Sequence, residues 1–319
     1  MDKKKLAIVV PCYNEEESLT VNIDVFKHTL FALIEKGVIK DDSFICFIDD
    51  GSKDKTWELI EKAHGVDFAH IKGLRFTKNY GNQKALIAGL EYALKKGVDC
   101  AVTIDADLQQ DETKIEEFIN KFNEGSEIVY GIRKDRKSDN FIKKITGYAF
   151  YKFMNLMGAN IVPNHSEYRL MSRKALDTLA QYKERNLFLR GIFCDTGLKS
   201  DYVEFDVKKR VHGDSKFSFF SLFKLAAEGI TSFSVRPLRL IFYIGVMISL
   251  ISICWGCWTL YRLLNDLPAR IGAIDYYEIF EMFMSGLQML CIGIIGEYVG
   301  QILQEVKGRP RSIIEKELD

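Results

Sequence analysis

Short apolar segments alternate with longer segments of helical periodicity through the first 130 residues of the chain. Four apolar segments have the length and composition of buried strands: residues 6–12 (LAIVVPC), 44–48 (FICFI), 100–104 (CAVTI) and 127–130 (EIVY). Three segments with helical spacing, each closed by a glycine, lie between them: residues 15–37, 54–64 and 82–96. This alternation predicts an α/β fold with a doubly wound, mostly parallel sheet.

Polar clusters follow three of the predicted strands, at the point where each strand ends. They are residues 13–15 (YNE), 49–52 (DDGS) and 105–107 (DAD). Because ligands bind at the carboxyl ends of the strands in open α/β sheets, we expect one ligand site that gathers these clusters.

The pattern changes at about residue 215. Residues 215–235 are rich in Phe and Leu and carry Lys216 and Lys224, which predicts interfacial amphipathic helices, with a buried core helix as the alternative. Residues 240–261 then run without a charge, which is long enough to cross a bilayer. Residues 279–299 predict a second crossing, with Glu281 and Glu297 near its ends; a buried or re-entrant segment is the alternative.

Basic residues cluster before the first apolar stretch and after the second, whereas the loop between them holds few. The positive-inside rule therefore predicts an integral membrane protein with both termini in the cytoplasm. The predicted division is a cytoplasmic domain (1–214), interfacial helices (215–237), a two-helix transmembrane hairpin (238–303) and a cytoplasmic tail (304–319).

Composition narrows the possible partners. The chain has 44 basic and 44 acidic residues, so its net charge offers no reason to expect nucleic acid as a partner. Its seven cysteines are scattered and odd in number, which favours reduced thiols over a disulfide framework. Cys254 and Cys257 have the spacing of a redox pair, but they lie inside an uncharged run, so we do not expect that role.

The DADLQ segment (105–109) carries the sharpest chemical signal. Asp105 and Asp107 follow a predicted buried strand, and two carboxylates so placed can hold Mg²⁺ or Mn²⁺ against the oxygens of a diphosphate. The turn 49–52 is open to two interpretations: a capped βα turn, or a site where Asp49 or Asp50 accepts a hydrogen bond from a base N–H or a ribose hydroxyl. No G-x-G-x-x-G or P-loop motif accompanies these strands, which argues against a dinucleotide cofactor or nucleotide hydrolysis.

Ordered segments along nearly the whole chain resemble the motifs of inverting family 2 glycosyltransferases with the GT-A fold. The first four are residues 11–16 (PCYNEE), 49–52 (DDGS), 81–85 (GNQKA) and 105–109 (DADLQ). Later segments resemble the polyisoprenyl-phosphate branch, which includes dolichol-phosphate mannose synthase and bactoprenol glucosyltransferases: residues 167–173, 188–191, 210–217, 230–234, 296–300 and 305–310.

The resemblance implies roles for single residues. Donor-binding residues would be Pro11, Tyr13, Glu15, Asp49, Asp50, Lys84 and Asp105. The metal would be held by Asp105, Asp107 and Gln109, with Asp107 also counted as catalytic. The lipid phosphate would meet Arg133 and Arg136, counted as catalytic, together with Arg169, Arg210, Ser215 and Lys216. Glu167 is also counted as catalytic, although this family usually has Asp at that position.

The expected reaction is transfer of a hexose from a nucleotide sugar to a polyprenyl phosphate. A phosphate monoester is mostly a dianion at neutral pH, so it needs no strong general base, and we expect Glu167 to orient an arginine or the sugar. By resemblance, the first choices are UDP-glucose and undecaprenyl phosphate in a bacterial plasma membrane, with UDP-N-acetylglucosamine or UDP-galactose as alternative donors. The aromatic helices and the membrane hairpin could pack into a tetramer, and the oligomeric state is left open. Two alternatives are a processive polysaccharide synthase, whose Gln-x-x-Arg-Trp motif this chain lacks, and a non-catalytic membrane scaffold.

Overall fold

The fold was analysed on a computed structural model, which describes residues 3–134, 165–185, 187, 189–208, 236–265 and 273–319. Its strands are β1 (Leu6–Cys12), β2 (Phe44–Asp49), β3 (Ile71–Phe76), β4 (Cys100–Thr103), β5 (Ile128–Arg133), β6 (His165–Ser172), β7 (Ser200–Phe205) and β8 (Ile314–Leu318). Its helices are α1 (Glu16–Glu35), α2 (Thr56–Val66), α3 (Asn82–Lys95), α4 (Ile115–Asn123), α5 (Arg173–Gln181), α6 (Leu189–Asp195), α7 (Arg236–Leu264) and α8 (Ala273–Val306).

The strands form one eight-stranded sheet in the order β7-β5-β6-β4-β1-β2-β3-β8. Strands β4, β1, β2 and β3 run parallel to one another, β5 and β7 are parallel, and β6 and β8 are antiparallel to their neighbours. The prediction of an α/β fold with a mostly parallel sheet is therefore confirmed. The polar clusters after β1, β2 and β4 lie at the same edge, because these three strands are adjacent and parallel.

The core fills the space between the sheet and its helices. The central strands β1 and β2 are buried at every position, as both faces of a parallel sheet must be when helices cover them. Helix α3 approaches the sheet at Gly89, where an added Cβ would lie 2.5 Å from Val9 Cγ1 and 2.6 Å from Ile48 Cδ1. A larger residue there would displace Val9 and Ile48, so glycine allows α3 to pack this close to the sheet.

Strand β8 follows the long apolar helices in the chain and joins the edge of the sheet beside β3. Residues 310–319 belong to the same compact unit as the sheet. Arg311 anchors this segment: it donates to the Glu91 carboxylate (2.9 Å), to the Glu184 carbonyl (2.9 Å) and to the Tyr182 carbonyl. The sequence analysis described residues 304–319 as a tail and did not predict this strand.

The second compact unit contains α7 and α8. Both predicted apolar stretches are helical, and they expose large apolar side chains, including Phe242, Trp258, Phe283 and Ile292. Within the described residues, one segment, Phe283–Val306, is long and apolar enough to cross a membrane. The prediction of two crossings is therefore not confirmed. The predicted interfacial helices fall almost entirely outside the described residues.

Candidate functional site

The loops after β1 and β2 are joined to each other by side-chain hydrogen bonds. Asn14 has a left-handed backbone (φ 51°), its N–H donates to Ser52 Oγ (2.9 Å), and its Oδ1 accepts from the Lys53 N–H (2.9 Å). Asparagine tolerates this conformation better than most residues. Gly51 has φ 67°, and an added Cβ would overlap the Lys78 backbone, so this turn requires glycine.

Asp49, the last residue of β2, is completely buried. Its Oδ1 accepts a hydrogen bond from the Ser52 N–H (3.0 Å). Its Oδ2 has no hydrogen-bond partner among the described residues and lies 3.5 Å from Arg75 Nε, which is itself unpartnered there. Burial raises the pKa of Asp49 above its usual value, against the opposing effects of Ser52 and Arg75. Asp49 Oδ2 is therefore a buried acceptor that faces Arg75, and a ligand N–H would have to displace this contact to reach it.

Asp50 shapes the turn that leads into α3. Its two carboxylate oxygens accept from the backbone N–H groups of Tyr80 (2.6 Å) and Gly81 (2.8 Å). Burial raises the pKa of this carboxyl, while the two backbone hydrogen bonds act in the opposite direction. Asp50 thus connects the end of β2 to the start of α3, and each of its oxygens keeps a second lone pair for a ligand.

Asp105 and Asp107 follow β4, where the chain makes a tight turn through Leu108, whose φ is 48°. The Asp107 Oδ1 accepts from the Gln109 N–H (3.1 Å). Asp105 is held twice by Gln110: Gln110 Nε2 donates to Asp105 Oδ2 (2.6 Å), and the Asp105 N–H donates to Gln110 Oε1 (2.9 Å). Gln110 is 1% exposed. Sequence reasoning missed Gln110, and its position directly after the DADLQ segment was the only available signal.

The donors near β4 have the chemistry that a hard divalent cation requires. Asp105 and Asp107 offer carboxylate oxygens and Gln109 an amide oxygen, and Mg²⁺ commonly binds through one or two carboxylates together with substrate phosphates. In the described part of the chain, no group of three or more His, Cys, Asp or Glu side chains is placed to hold a metal ion without such a substrate. The residues fit a cation shared with a diphosphate, and the metal site stays a prediction.

Glu167 and Arg169 lie two residues apart on β6 and are both buried, with exposed fractions of 8% and 1%. Arg169 Nη2 lies 2.5 Å from Glu167 Oε2, and the guanidinium stacks over the Phe193 ring at 5.2 Å. We expected Arg169 to meet the lipid phosphate, but the structure places its side chain in the interior beside a carboxylate. A phosphate contact would require that ion pair to open.

The remaining candidate residues divide by location. Pro11 is buried in β1 opposite Ile48, and Tyr13, Glu15 and Lys84 are half-buried around the same edge of the sheet. Glu15 Oε2 accepts from Ser18 Oγ (2.7 Å). Arg133, the last residue of β5, is exposed. The other predicted phosphate-binding residues lie outside the described residues: Arg136, Arg210, Ser215 and Lys216.

Comparison with known proteins finds glycosyltransferases by sequence. Residues 7–180 match the family described as glycosyl transferase family 2. An uncharacterized glycosyltransferase of Bacillus subtilis, YkoT, is 43% identical, over 98% of this chain and 92% of its own. The prophage-derived bactoprenol glucosyl transferase of Shigella flexneri is 39% identical, over 98% of both chains. The prophage homolog of that transferase in Escherichia coli is 37% identical, over 98% of this chain and 99% of its own.

Among solved structures, the mannosyltransferase PcManGT of Pyrobaculum calidifontis, in complex with GDP-Man and Mn²⁺, is 13% identical with a TM-score of 0.48, over 94% of this chain and 88% of its own. That likeness is too distant to carry an argument. The family match covers more than half of the chain, and the relatives match it almost from end to end. This chain belongs to glycosyl transferase family 2 and is a glycosyltransferase.

Proposed function

We propose that this enzyme transfers a hexose, with inversion, from a nucleotide sugar to a polyprenyl phosphate at the cytoplasmic face of the membrane. The observation that carries the proposal is the extent of the similarity. Relatives named bactoprenol glucosyl transferase are 37–39% identical over 97–98% of this chain, so the likeness continues through α7 and α8. UDP-glucose and undecaprenyl phosphate are accordingly the first donor and acceptor to test.

The geometry around Asp49 supports a nucleotide donor. A base N–H or a ribose hydroxyl would satisfy the buried Oδ2 atom, which is surrounded by protein and therefore forms stronger hydrogen bonds than a solvated carboxylate. Asp50, Tyr13 and Lys84 line the same edge of the sheet. A ligand held there lies at the carboxyl ends of β1 and β2, next to the end of β4.

Asp105, Asp107 and Gln109 are the residues that would hold Mg²⁺ or Mn²⁺. When bound, the cation supplies positive charge to the oxygens of the leaving diphosphate. Gln110 orients Asp105 through two hydrogen bonds, one donated to the carboxylate and one accepted from the Asp105 backbone N–H. Orientation matters because a ligand carboxylate that must be ordered upon binding costs affinity.

The acceptor supplies its own nucleophile. An oxygen of the lipid phosphate dianion forms the new bond to the anomeric carbon, and the bond to the nucleoside diphosphate breaks with its electron pair on the departing oxygen. No proton has to move, so the site needs no general base. Arg133, exposed at the end of β5, is a suitable partner for the incoming phosphate because guanidinium groups bind phosphate bidentately.

The proposed acceptor is a membrane lipid, so the enzyme must reach the membrane surface. The exposed apolar side chains of α7 and α8 and the apolar segment Phe283–Val306 support an integral membrane protein. We propose that both helices cross the bilayer and that the sheet domain and the C-terminus face the cytoplasm. Strand β8 supports this topology, because the C-terminal residues pair with the sheet domain and must lie on the same side as it does.

The test uses purified protein with Mg²⁺ or Mn²⁺, undecaprenyl phosphate and a panel of radiolabelled nucleotide sugars. Transfer appears as label that extracts into organic solvent. We expect Asp107→Asn to abolish transfer, whereas the matched control Asp177→Asn, on the exposed face of α5, retains it. Full metal-dependent transfer by Asp107→Asn would contradict the metal assignment, and absence of transfer from every donor would contradict the proposed function.

A further inference from the structure

Four residues from α3, β6 and the start of α6 form a closed ring of hydrogen bonds. Gln83 Nε2 donates to Glu167 Oε1 (3.1 Å), and Arg169 Nη2 donates to Glu167 Oε2 (2.5 Å). Arg169 Nη1 donates to the Leu189 carbonyl (3.4 Å), and the Leu189 N–H donates to Gln83 Oε1 (3.2 Å). Each residue of the ring therefore contacts two others. Gln83 is the one residue of the ring that lies on α3.

The orientation of the Gln83 amide is fixed by its two neighbours. The Leu189 N–H can only donate, so the amide oxygen must face it. The ionised Glu167 carboxylate can only accept, so the amide nitrogen must face that side. If the amide were flipped, its NH₂ group would face the Leu189 N–H and its oxygen would face the Glu167 carboxylate, so both hydrogen bonds would be lost. No other uncharged side chain of this length supplies a donor and an acceptor in this arrangement.

The ring lies between the two halves of the proposed site. Gln83 is two residues after Gly81, whose N–H donates to Asp50 at the end of β2. Strands β4 and β6 pair Thr103 with Arg169, and the Thr103 hydroxyl donates to the Glu167 carbonyl. The ring thus joins the turn shaped by Asp50 to the residue of β6 that contacts the end of β4.

We propose that Gln83 is a positioning residue for the transfer reaction: it closes the ring that holds Glu167 and the start of α6 in a single arrangement. This inference rests on the proposed function. Glu167 shares one oxygen with Arg169 and the other with Gln83, so the pair of donors holds the carboxylate plane as well as its distance from β4. Loss of the Gln83 amide removes the hydrogen bond to Glu167 Oε1 and the acceptor for the Leu189 N–H, so the carboxylate and the start of α6 lose their direct link to α3.

The test compares Gln83→Met, which keeps the side-chain length and removes both hydrogen bonds, with Gln181→Met on the exposed end of α5. We expect Gln83→Met to lower kcat by about 10- to 100-fold, because a misplacement of about 1 Å among the groups that orient the reactants can cost that much, while KM for the nucleotide sugar changes less than about threefold. Hydrogen exchange of the Leu189 segment should accelerate in Gln83→Met and stay unchanged in Gln181→Met.

A second variant separates positioning from general structural support. Gln83→Glu places a carboxyl between Glu167 and Leu189, and its protonated form again offers one donor and one acceptor. The charged groups facing it are Glu167 and Arg169. Two adjacent carboxyl groups repel each other when both are ionised, which raises the pKa at which the pair takes up a proton. The kcat of Gln83→Glu, divided by the wild-type kcat at the same pH, should therefore rise as pH falls from about 8 to about 6.

The outcomes distinguish the two proposals. Normal transfer by the wild type with unchanged kcat in Gln83→Met overturns the positioning role alone. The positioning role is also overturned if Gln83→Met combines a lower kcat with a similarly large rise in donor KM and a lower thermal midpoint, and if kcat of Gln83→Glu does not recover at low pH. Those results would indicate a purely structural residue. Absence of transfer by the wild type overturns the proposed function and this inference together.

Discussion

Arg169 and Glu167 form an ion pair on neighbouring same-face positions of β6, with 2.5 Å between Arg169 Nη2 and Glu167 Oε2. Both are shielded from solvent, so the pair is strong in Coulombic terms and costly to break. Two of the arginines expected at the lipid phosphate therefore differ in their surroundings. Arg169 is bound to a carboxylate in the interior, whereas Arg133 is exposed at a strand end.

Arg169→Met should lower the free energy of unfolding by about 3–5 kcal/mol, because it leaves the Glu167 charge buried without its partner. Arg133→Met should change stability by less than about 0.5 kcal/mol and raise KM for the polyprenyl phosphate. Chemical unfolding in detergent and acceptor titrations measure the two effects. A stable Arg169→Met protein with only a raised acceptor KM would instead make Arg169 a direct phosphate ligand.

Gln110→Met should raise the metal concentration that the enzyme requires for activity. Asp105 would lose both of its contacts with Gln110, and partners of ligand side chains typically contribute about 10- to 100-fold in metal affinity or activity. We expect the Mn²⁺ concentration for half-maximal transfer to rise by that factor, with activity largely restored at saturating Mn²⁺. Gln181→Met is the control, and an unchanged metal titration in Gln110→Met would remove Asp105 from the metal site.

Asp49→Asn should stabilise the protein at neutral pH. Because burial raises the folded pKa of Asp49 above the unfolded value of about 3.9, proton binding favours the folded state. The stability linked to this carboxyl is fully present below about pH 3.9 and is lost as pH rises through the raised folded pKa. The asparagine variant carries no such charge, so its thermal midpoint should exceed that of the wild type at pH 7.

The difference between Asp49→Asn and the wild type should shrink as pH falls towards about 4, since the wild-type side chain then becomes neutral too. Thermal unfolding between about pH 4 and 8 tests this, with Asp177→Asn as the exposed control. We expect the stabilised variant to bind UDP-glucose more weakly, because asparagine has a single acceptor oxygen, and if that oxygen keeps the Ser52 N–H, the NH₂ group stands where the second carboxylate oxygen was. A stability gap independent of pH would show that ionisation of Asp49 is not its cause.

Arg311→Met should release the C-terminal segment from the sheet domain. Arg311 bonds with Glu91 and with two backbone carbonyls, and hydrogen bonds to charged groups contribute about 1.5–3 kcal/mol. Residues 310–319 should therefore exchange amide hydrogens faster and become sensitive to limited proteolysis. Arg309→Met, at an exposed position two residues earlier, is the control. Equal protection in both variants would mean that the β3–β8 pairing alone holds the segment.

Half of the sheet could be predicted from local pattern. Strands β1, β2, β4 and β5 are short apolar segments, and burial on both faces explains why the pattern is continuous. Strands β3, β6, β7 and β8 were not predicted, because charged residues interrupt them. Strand β6 is the clearest case: Glu167 and Arg169 would be unfavourable in a buried strand singly, and only their pairing in the folded chain permits it.

The α/β class, the family and the positions of the acidic clusters can be read from the sequence, because they depend on local periodicity and on residues close together in the chain. The folded chain is needed to see which groups meet: Asp49 with Arg75, Asp105 with Gln110, Gln83 with Glu167, and the C-terminal strand with β3. Most of these partners are distant in sequence, and contacts of that kind arise from strand order and helix packing, which no short segment encodes.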